Sequence, residues 1–172
     1  MIIFVHYLLG VGVMAVDQWT KYLARVYLMP YEPWPVMPGF NYTLAFNSGS
    51  AFSFLAHAGP WHRTFFIVFA MLLVIVLAVS LARSRLHWLE RLGLALIMGG
   101  ASSNLIDRLH LGYVVDFIDI HINDYHWPVF NLADSAICLG AFFWLLHGYN
   151  SRAPGNNSSS GINTKGRDAI SG

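Results

Sequence analysis

Thr64-Phe-Phe-Ile-Val-Phe-Ala-Met-Leu-Leu-Val-Ile-Val-Leu-Ala-Val-Ser-Leu-Ala82 contains no charged residue. A helix of about 20 apolar residues crosses a bilayer, where the backbone must satisfy its own hydrogen bonds. This stretch meets both conditions and sets the reading of its neighbours. Three further segments have the right length: Ile2 to Leu23, Trp88 to Ile106, and Pro128 to Tyr149. The last two each carry a polar face, and Pro128 suits a first helical turn. Hydrophobic residues make up 56% of the 172, charged residues only 11%, and mean hydropathy is +0.50. The expectation is an all-α membrane protein with four transmembrane helices in one domain, residues 1–150. The tail, 151–172, is rich in Ser, Asn and Gly, and is expected to be disordered and dispensable for chemistry.

The basic residues orient the spans. Arg83 and Arg85, followed by Glu90 and Arg91 at the start of span three, make the connection between spans two and three positive, and Arg152, Lys165 and Arg167 stand against Asp168 in the tail. The other two loops carry Glu32, Asp119 and Asp124, with Arg63 beside them. By the positive-inside rule both termini are cytoplasmic and the long loops face outward. The N-terminus has no basic n-region and no small-residue cleavage site, so the first segment is expected to remain as an anchor. Trp34, Trp61 and Trp127 read as interfacial belt residues. In the first outer loop Phe40, Tyr42, Leu44 and Phe46 alternate, which predicts a strand. Pro30, Pro33, Pro35 and Pro38 keep the first helix from continuing into it. A small β-containing platform on the outer side follows.

Several functions are excluded early. A net charge of +1 provides no basic stripe for nucleic acid. One cysteine, Cys138, permits neither an internal disulfide nor a CxxC site, and it reads as a small buried apolar residue. The histidines show no HExxH spacing, and His110, His121 and His126 lack tight ligand spacing. Neither a metal nor a cofactor is expected.

Ionisable groups at membrane depth are costly and are functional candidates by default. Asp17 and Lys21 are four residues apart on one helix face, which predicts an ion pair. Asn104, Asp107 and Arg108 close the third span; Asp107 and Arg108, being adjacent, need different partners. Asn131 and Asp134 open the fourth span, with Ser135 and Cys138 extending the stripe. Gly99-Gly100 predicts close helix packing. All these polar groups reach one depth near the outer interface. Asp116 comes from the loop between spans three and four. If 114–122 is extended, Asp116 shares a face with Val114, Ile118, Ile120 and Ile122, and burial there raises its pKa. Asp119 and His121 would then point the other way. Two close carboxylates share a proton, so Asp116 and Asp134 can activate water and polarise a carbonyl. Two other readings compete: a Ser–Lys dyad of Lys21 with Ser50 or Ser53, and a proton-coupled transporter.

Five motifs in order carry a resemblance. They are Asp17-Gln-Trp-Thr-Lys21, Asn47-Ser-Gly49-Ser-Ala51-Phe52-Ser53, Gly99-Gly100-Ala-Ser-Ser-Asn104-Leu-Ile-Asp107-Arg108, Val115-Asp116-Phe117 and Phe130-Asn131-Leu-Ala133-Asp134-Ser135. Together they resemble the bacterial lipoprotein signal peptidases, or signal peptidases II, over about residues 1–150. The resemblance implies an aspartic endopeptidase that cleaves prolipoproteins just before the lipid-modified, diacylglyceryl cysteine. It implies Asp116 and Asp134 as the catalytic pair. Asp17, Lys21, Asn47, Gly49, Asn104, Asp107, Arg108 and Asn131 become substrate-binding or site-supporting residues. It further implies membrane-embedded substrates in the bacterial inner membrane, a site near the outer face, and inhibition by globomycin-type cyclic peptides. Two positions depart from the family pattern: Ser103 stands where Gly is usual, and Ser50 where Ala is frequent. Both swaps are small for small, though Ser103 forgoes glycine's backbone freedom.

Overall fold

The computed structural model describes residues 2–49, 61–83 and 85–152. Ser50, Ser53 and the tail from residue 153 lie outside them. The described residues form four helices and a small antiparallel sheet, in the order α1 (Ile2–Tyr27), β1 (Pro33–Met37), β2 (Phe40–Asn47), α2 (Trp61–Leu81), α3 (Trp88–His110), β3 (Val114–Ile122), β4 (Tyr125–His126) and α4 (Leu132–Arg152). The sheet runs β1-β2-β3-β4. β1 holds Pro33 and Pro35 on the edge, where a missing N–H costs no ladder bond. α3 is the central helix and packs against α1, α2 and α4.

The side chains are distributed inside out. Phe65, Phe69, Leu72, Ile75 and Val79 of α2 are all about half or more exposed. Asp17, Lys21, Asn104, Asp107, Asp116 and Asn131 are all buried. Soluble domains avoid large apolar patches of this kind, whereas lipid is the solvent that such a surface fits. Among the described residues two helical segments, Arg63–Leu81 and Leu132–Tyr149, are long and apolar enough to cross a membrane. α1 and α3 have comparable length but carry charges on the faces that meet inside the bundle.

Glycines let the helices touch. A Cβ on Gly99 would lie 2.5 Å from Gly10 O in α1, and one on Gly100 would collide with Ala133 O in α4. Gly93 and Gly140 make a second contact of this kind, each facing the other's carbonyl oxygen. The opposing atoms are backbone and cannot rotate away. Gly100→Ala is expected to destabilise the fold by about 1–3 kcal/mol. Gly12→Ala, with open space at the Cβ position, should leave the melting temperature in detergent unchanged.

Several boundaries differ from expectation. α1 continues to Tyr27 and α3 to His110, so Asp107 and Arg108 sit within the last turns of a helix. α4 starts at Leu132, not at Pro128, because Phe130 is pinned to Ile118 by backbone bonds in both directions (2.8 and 3.0 Å). Cys138 is exposed; Ala133 and Gly140 take the inward positions. On β3, Ile120 and Ile122 are exposed and Asp119 is buried, the reverse of the expected alternation. Asp119 turns inward to receive hydrogen bonds from Asn41 and Thr43 of β2. At the opposite end of the bundle, Arg91 is buried and donates to Leu81 O, Arg83 O and Leu86 O, closing the α2–α3 connection.

Candidate active site

The bridge between Phe130 and Ile118 builds the site. It lays the residues just before α4 along β3, so Asn131 reaches Asp116 while still starting the helix. Asn131 Oδ1 accepts from Asp134 N (2.8 Å), and Asp134 Oδ2 accepts from Asn131 N (3.3 Å). This reciprocal pair satisfies two backbone donors at the helix start. The amide nitrogen of Asn131 is thereby turned toward β3, and donates to Asp116 Oδ1 at 2.7 Å. One side chain therefore fixes the positions of both carboxylates. Asp134 is also held at its other oxygen, Oδ1, by Asn104 Nδ2 at 2.8 Å.

Asp116 is 2% exposed. Burial pushes its carboxyl up from the ordinary 3.8 to about 7, and the neighbouring Asp134 charge adds to the rise. Hydrogen bonds from Asn47 and Asn131, and the Lys21 charge, act the other way without reversing it. A carboxyl in this state exchanges its proton near neutrality, as general acid–base chemistry requires. Asn47 sits at the end of β2, and its Oδ1 accepts from Gly49 N at 2.9 Å. Gly49 has φ +86°, and a Cβ there would strike the Phe66 ring. The turn after β2 thus needs glycine for both backbone and space.

Behind the two carboxylates lies a buried ionic cluster. Lys21 Nζ contacts Asp17 Oδ2 (2.8 Å), Asp107 Oδ2 (2.9 Å) and Asn104 Oδ1 (2.8 Å). Asp17 Oδ1 also accepts from Ala133 N, an amide of the first turn of α4 (2.8 Å), where a negative charge is favoured. Asp17 Oδ2 accepts from Ser103 Oγ (2.7 Å), and Asp107 Oδ2 from Val115 N (3.1 Å). The cluster therefore ties α1, α3, β3 and α4 together. Asp107 and Arg108 do diverge as expected. Arg108 lies over the Phe66 ring, 5.7 Å from its centroid, within electrostatic reach of Asp134 and Asp116.

Asp116, Asp134, Asp17, Lys21, Asn47, Gly49, Asn104, Asp107, Arg108 and Asn131 all fall in or beside this assembly, while Ser50 and Ser53 lie outside the described residues. His110 does not join His121 and His126; it lines a cavity beside Lys21 and Asp107. Gln18 was missed. Its Nε2 donates to Asp107 Oδ1 (2.7 Å) and to Ser103 Oγ (3.0 Å). Its position next to Asp17 was the available signal. Ser103, where the resemblance leads to an expectation of Gly, is fully buried and supplies a hydroxyl to Asp17, a bond that glycine could not make.

Residues 9–150 match the family described as Signal peptidase (SPase) II. The chain is 48% identical over 141 residues to the lipoprotein signal peptidase of Acinetobacter baumannii, covering 80% of each chain. It is 46% identical over 139 residues to that of Coxiella burnetii, covering 80% of this chain and 85% of the relative. Two solved structures described as bacterial membrane enzymes share the fold. One has a TM-score of 0.74 at 30% identity, covering 83% of this chain and 91% of the other. The second has a TM-score of 0.75 at 28% identity, covering 96% and 94%.

Proposed function

The chain belongs to the signal peptidase II family, and we propose that Asp116 and Asp134 are the aspartyl pair with which it removes signal peptides from prolipoproteins. The observation that carries this reading is Asn131, bonded to both carboxylate-bearing segments at once. One carboxylate takes a proton from water while the protonated partner polarises the scissile carbonyl. The hydroxide adds to the carbonyl carbon. The C–N bond then breaks as the nitrogen receives a proton from the pair, and the shared proton is restored.

The remaining site residues have supporting roles. Asn104 and Asn131 orient the carboxylates. Asp17, Lys21 and Asp107 brace the elements that carry them, and Arg108 moderates the local negative charge. Asn47 and Gly49, at the end of β2, help clamp an extended substrate next to Asp116. The substrates are diacylglyceryl prolipoproteins, cut just before the modified cysteine, with their acyl chains in the phospholipid beside the helices. All four helices cross the bacterial inner membrane as one domain, residues 1–150. Both termini are cytoplasmic, and the carboxylates lie near the outer face. Globomycin-type cyclic peptides would block this site.

Two features disfavour the competing readings. Lys21 directs its ammonium at two carboxylates and an amide oxygen, which makes it an ion-pair partner rather than a base for a serine. The acidic cluster occupies one end of the bundle, and Arg91 at the other end is tied to loop carbonyls, which gives no through-path for a transporter. The test is cleavage of a purified diacylglyceryl prolipoprotein in detergent by wild type, Asp116→Asn and Asp134→Asn, with melting curves for each. Loss of cleavage in both folded variants supports the pair. Wild-type cleavage by either one removes that residue from the mechanism.

A further inference from the structure

Arg63 lies outside the five motifs, and the peptidase reading gives it no role. It sits in the first turn of α2 and is exposed. A cation there opposes the dipole of its own helix, whereas the C-terminal end of a helix favours one. The side chain reaches such an end. Its Nη2 donates to Arg108 O at 3.3 Å, one of the last carbonyls of α3, for which a helix supplies no donor of its own. Gly112, just past the C-cap Leu111, makes room for the approach. It has φ +86°, and a Cβ there would lie 3.2 Å from Arg63 Cζ and 3.3 Å from Nη1.

On its own, a cation capping an exposed helix end is a small stabilising contact. What sets this one apart is whose carbonyl it holds. The Arg108 side chain also turns to α2, where it lies over the Phe66 ring, 5.7 Å from the centroid. Phe66 is three residues after Arg63 and shares its helix face. α2 therefore grips Arg108 twice, at the carbonyl through Arg63 and at the guanidinium through Phe66. A further contact joins Arg108 to the site: its Nη1 donates to Asn104 O at 3.4 Å, and Asn104 Nδ2 holds Asp134. The Phe66 ring also fills the space over Gly49, two residues from Asn47, whose side chain bonds Asp116.

We infer that Arg63 is a positioning residue for the cleavage reaction: by tying the Arg108 backbone to α2, it keeps the Arg108 guanidinium over Phe66 and facing the carboxylate pair. The inference rests on the aspartyl-pair reading above and adds to it a residue that acts through Arg108. Lys21 is committed to Asp17 and Asp107, so Arg108 is the cation placed to answer charge that develops as water adds to the scissile carbonyl. Fixed charges aimed at such a point act on the transition state. When Arg63 lets go, the last turn of α3 loosens and that charge is no longer held in place. The loss falls on kcat, and substrate binding is kept.

The experiment follows cleavage of a diacylglyceryl prolipoprotein by the full chain in detergent, with hydrogen exchange at the end of α3 and melting curves on the same preparations. Arg63→Met keeps the length of the side chain and removes its donors and charge; Arg63→Gln replaces it if it does not fold. The variant is expected to melt near wild type, to exchange faster at the Leu111 amide, and to lose about tenfold in kcat with KM within about twofold. Arg63→Lys, which retains a cation and a donor, recovers most of the rate. In an Arg108→Gln background, measured by single turnover so that slow cleavage is still read, Arg63→Met costs less than about twofold. An equal loss in both backgrounds overturns the inference, as does wild-type kcat in Arg63→Met or a loss that Arg63→Lys does not relieve. Asp116→Asn, run alongside, separates the two readings. Its cleavage at the wild-type rate removes Asp116 from the mechanism, whereas its inactivity beside an unimpaired Arg63→Met removes only the positioning role.

Discussion

Asp116→Asn is expected to lose cleavage by about 10²–10⁴-fold and yet to melt at a higher temperature than wild type above pH 8. The carboxyl is 2% exposed and its folded value is raised to about 7 from 3.8. Because the folded state holds this proton more tightly than the unfolded chain, the associated stability is fully present below pH 3.8. It is lost as pH rises through about 7. The full difference corresponds to roughly 4 kcal/mol, unscreened by solvent at so buried a site. Asn is neutral at every pH and its Oδ1 can still accept from Asn131. The stability gap between variant and wild type should therefore be small near pH 4, open between about pH 4 and 7, and level off above that. Wild-type kcat/KM should fall as pH rises through about 7, as the pair loses its shared proton. A gap of constant size from pH 5 to 9, or a variant less stable than wild type at pH 9, would remove burial as the cause of the raised pKa. The site then appears as a place where stability is given up for reactivity.

The parts of this site that could be read from sequence are those where spacing is fixed by the helix itself. Asp17 with Lys21, and Asn104 with Asp107, must share faces once α1 and α3 are helical, and Gly99-Gly100 marks where backbones meet. The start of α4 was not legible. Proline at a first helical position and Asn at an N-cap are both good signals. What decides for Leu132 over Pro128 is the pairing of Phe130 with Ile118, a contact between residues that no local pattern connects. The same holds for Asp119: its alternation placed it outward, but Asn41 and Thr43 on the neighbouring strand draw it in. A bulge between Tyr42 and Ala45 shifts that register, and bulges leave no simple trace in a period of two. Cys138 failed for a related reason, since α4 turns its small residues Ala133 and Gly140 to α3. Of the polar stripe, Asn131 is buried and Asp134 half-buried, while Ser135 and Cys138 face outward.

Lys21→Met is expected to destabilise the protein by about 3–5 kcal/mol, because removing one partner leaves uncompensated charge in a buried site. Asp17 and Asp107 would face each other without the ammonium between them. Asn104 Oδ1 would lose its bond from Lys21, keeping only the longer one from Asn131 Nδ2 at 3.3 Å. The amide of Asn104 is then free to turn, and its grip on Asp134 loosens, so cleavage falls even where the variant remains folded. The arrangement also predicts which second change relieves the damage. In Asp17→Asn the carbonyl can keep the bond from Ala133 N, and the new amide can donate to Ser103 Oγ, which already sits 2.7 Å away. Asp107→Asn has no such outlet, because Gln18 and Val115 donate to its two oxygens and a new amide would meet a donor on either side. The pair Lys21→Met/Asp17→Asn should therefore cost less than the sum of its single changes, while Lys21→Met/Asp107→Asn should recover little. Denaturation of wild type, the three single variants and the two double variants in one detergent measures both couplings. Equal recovery by the two Asn substitutions would mean that net charge alone, and not the direction of each hydrogen bond, holds the cluster together.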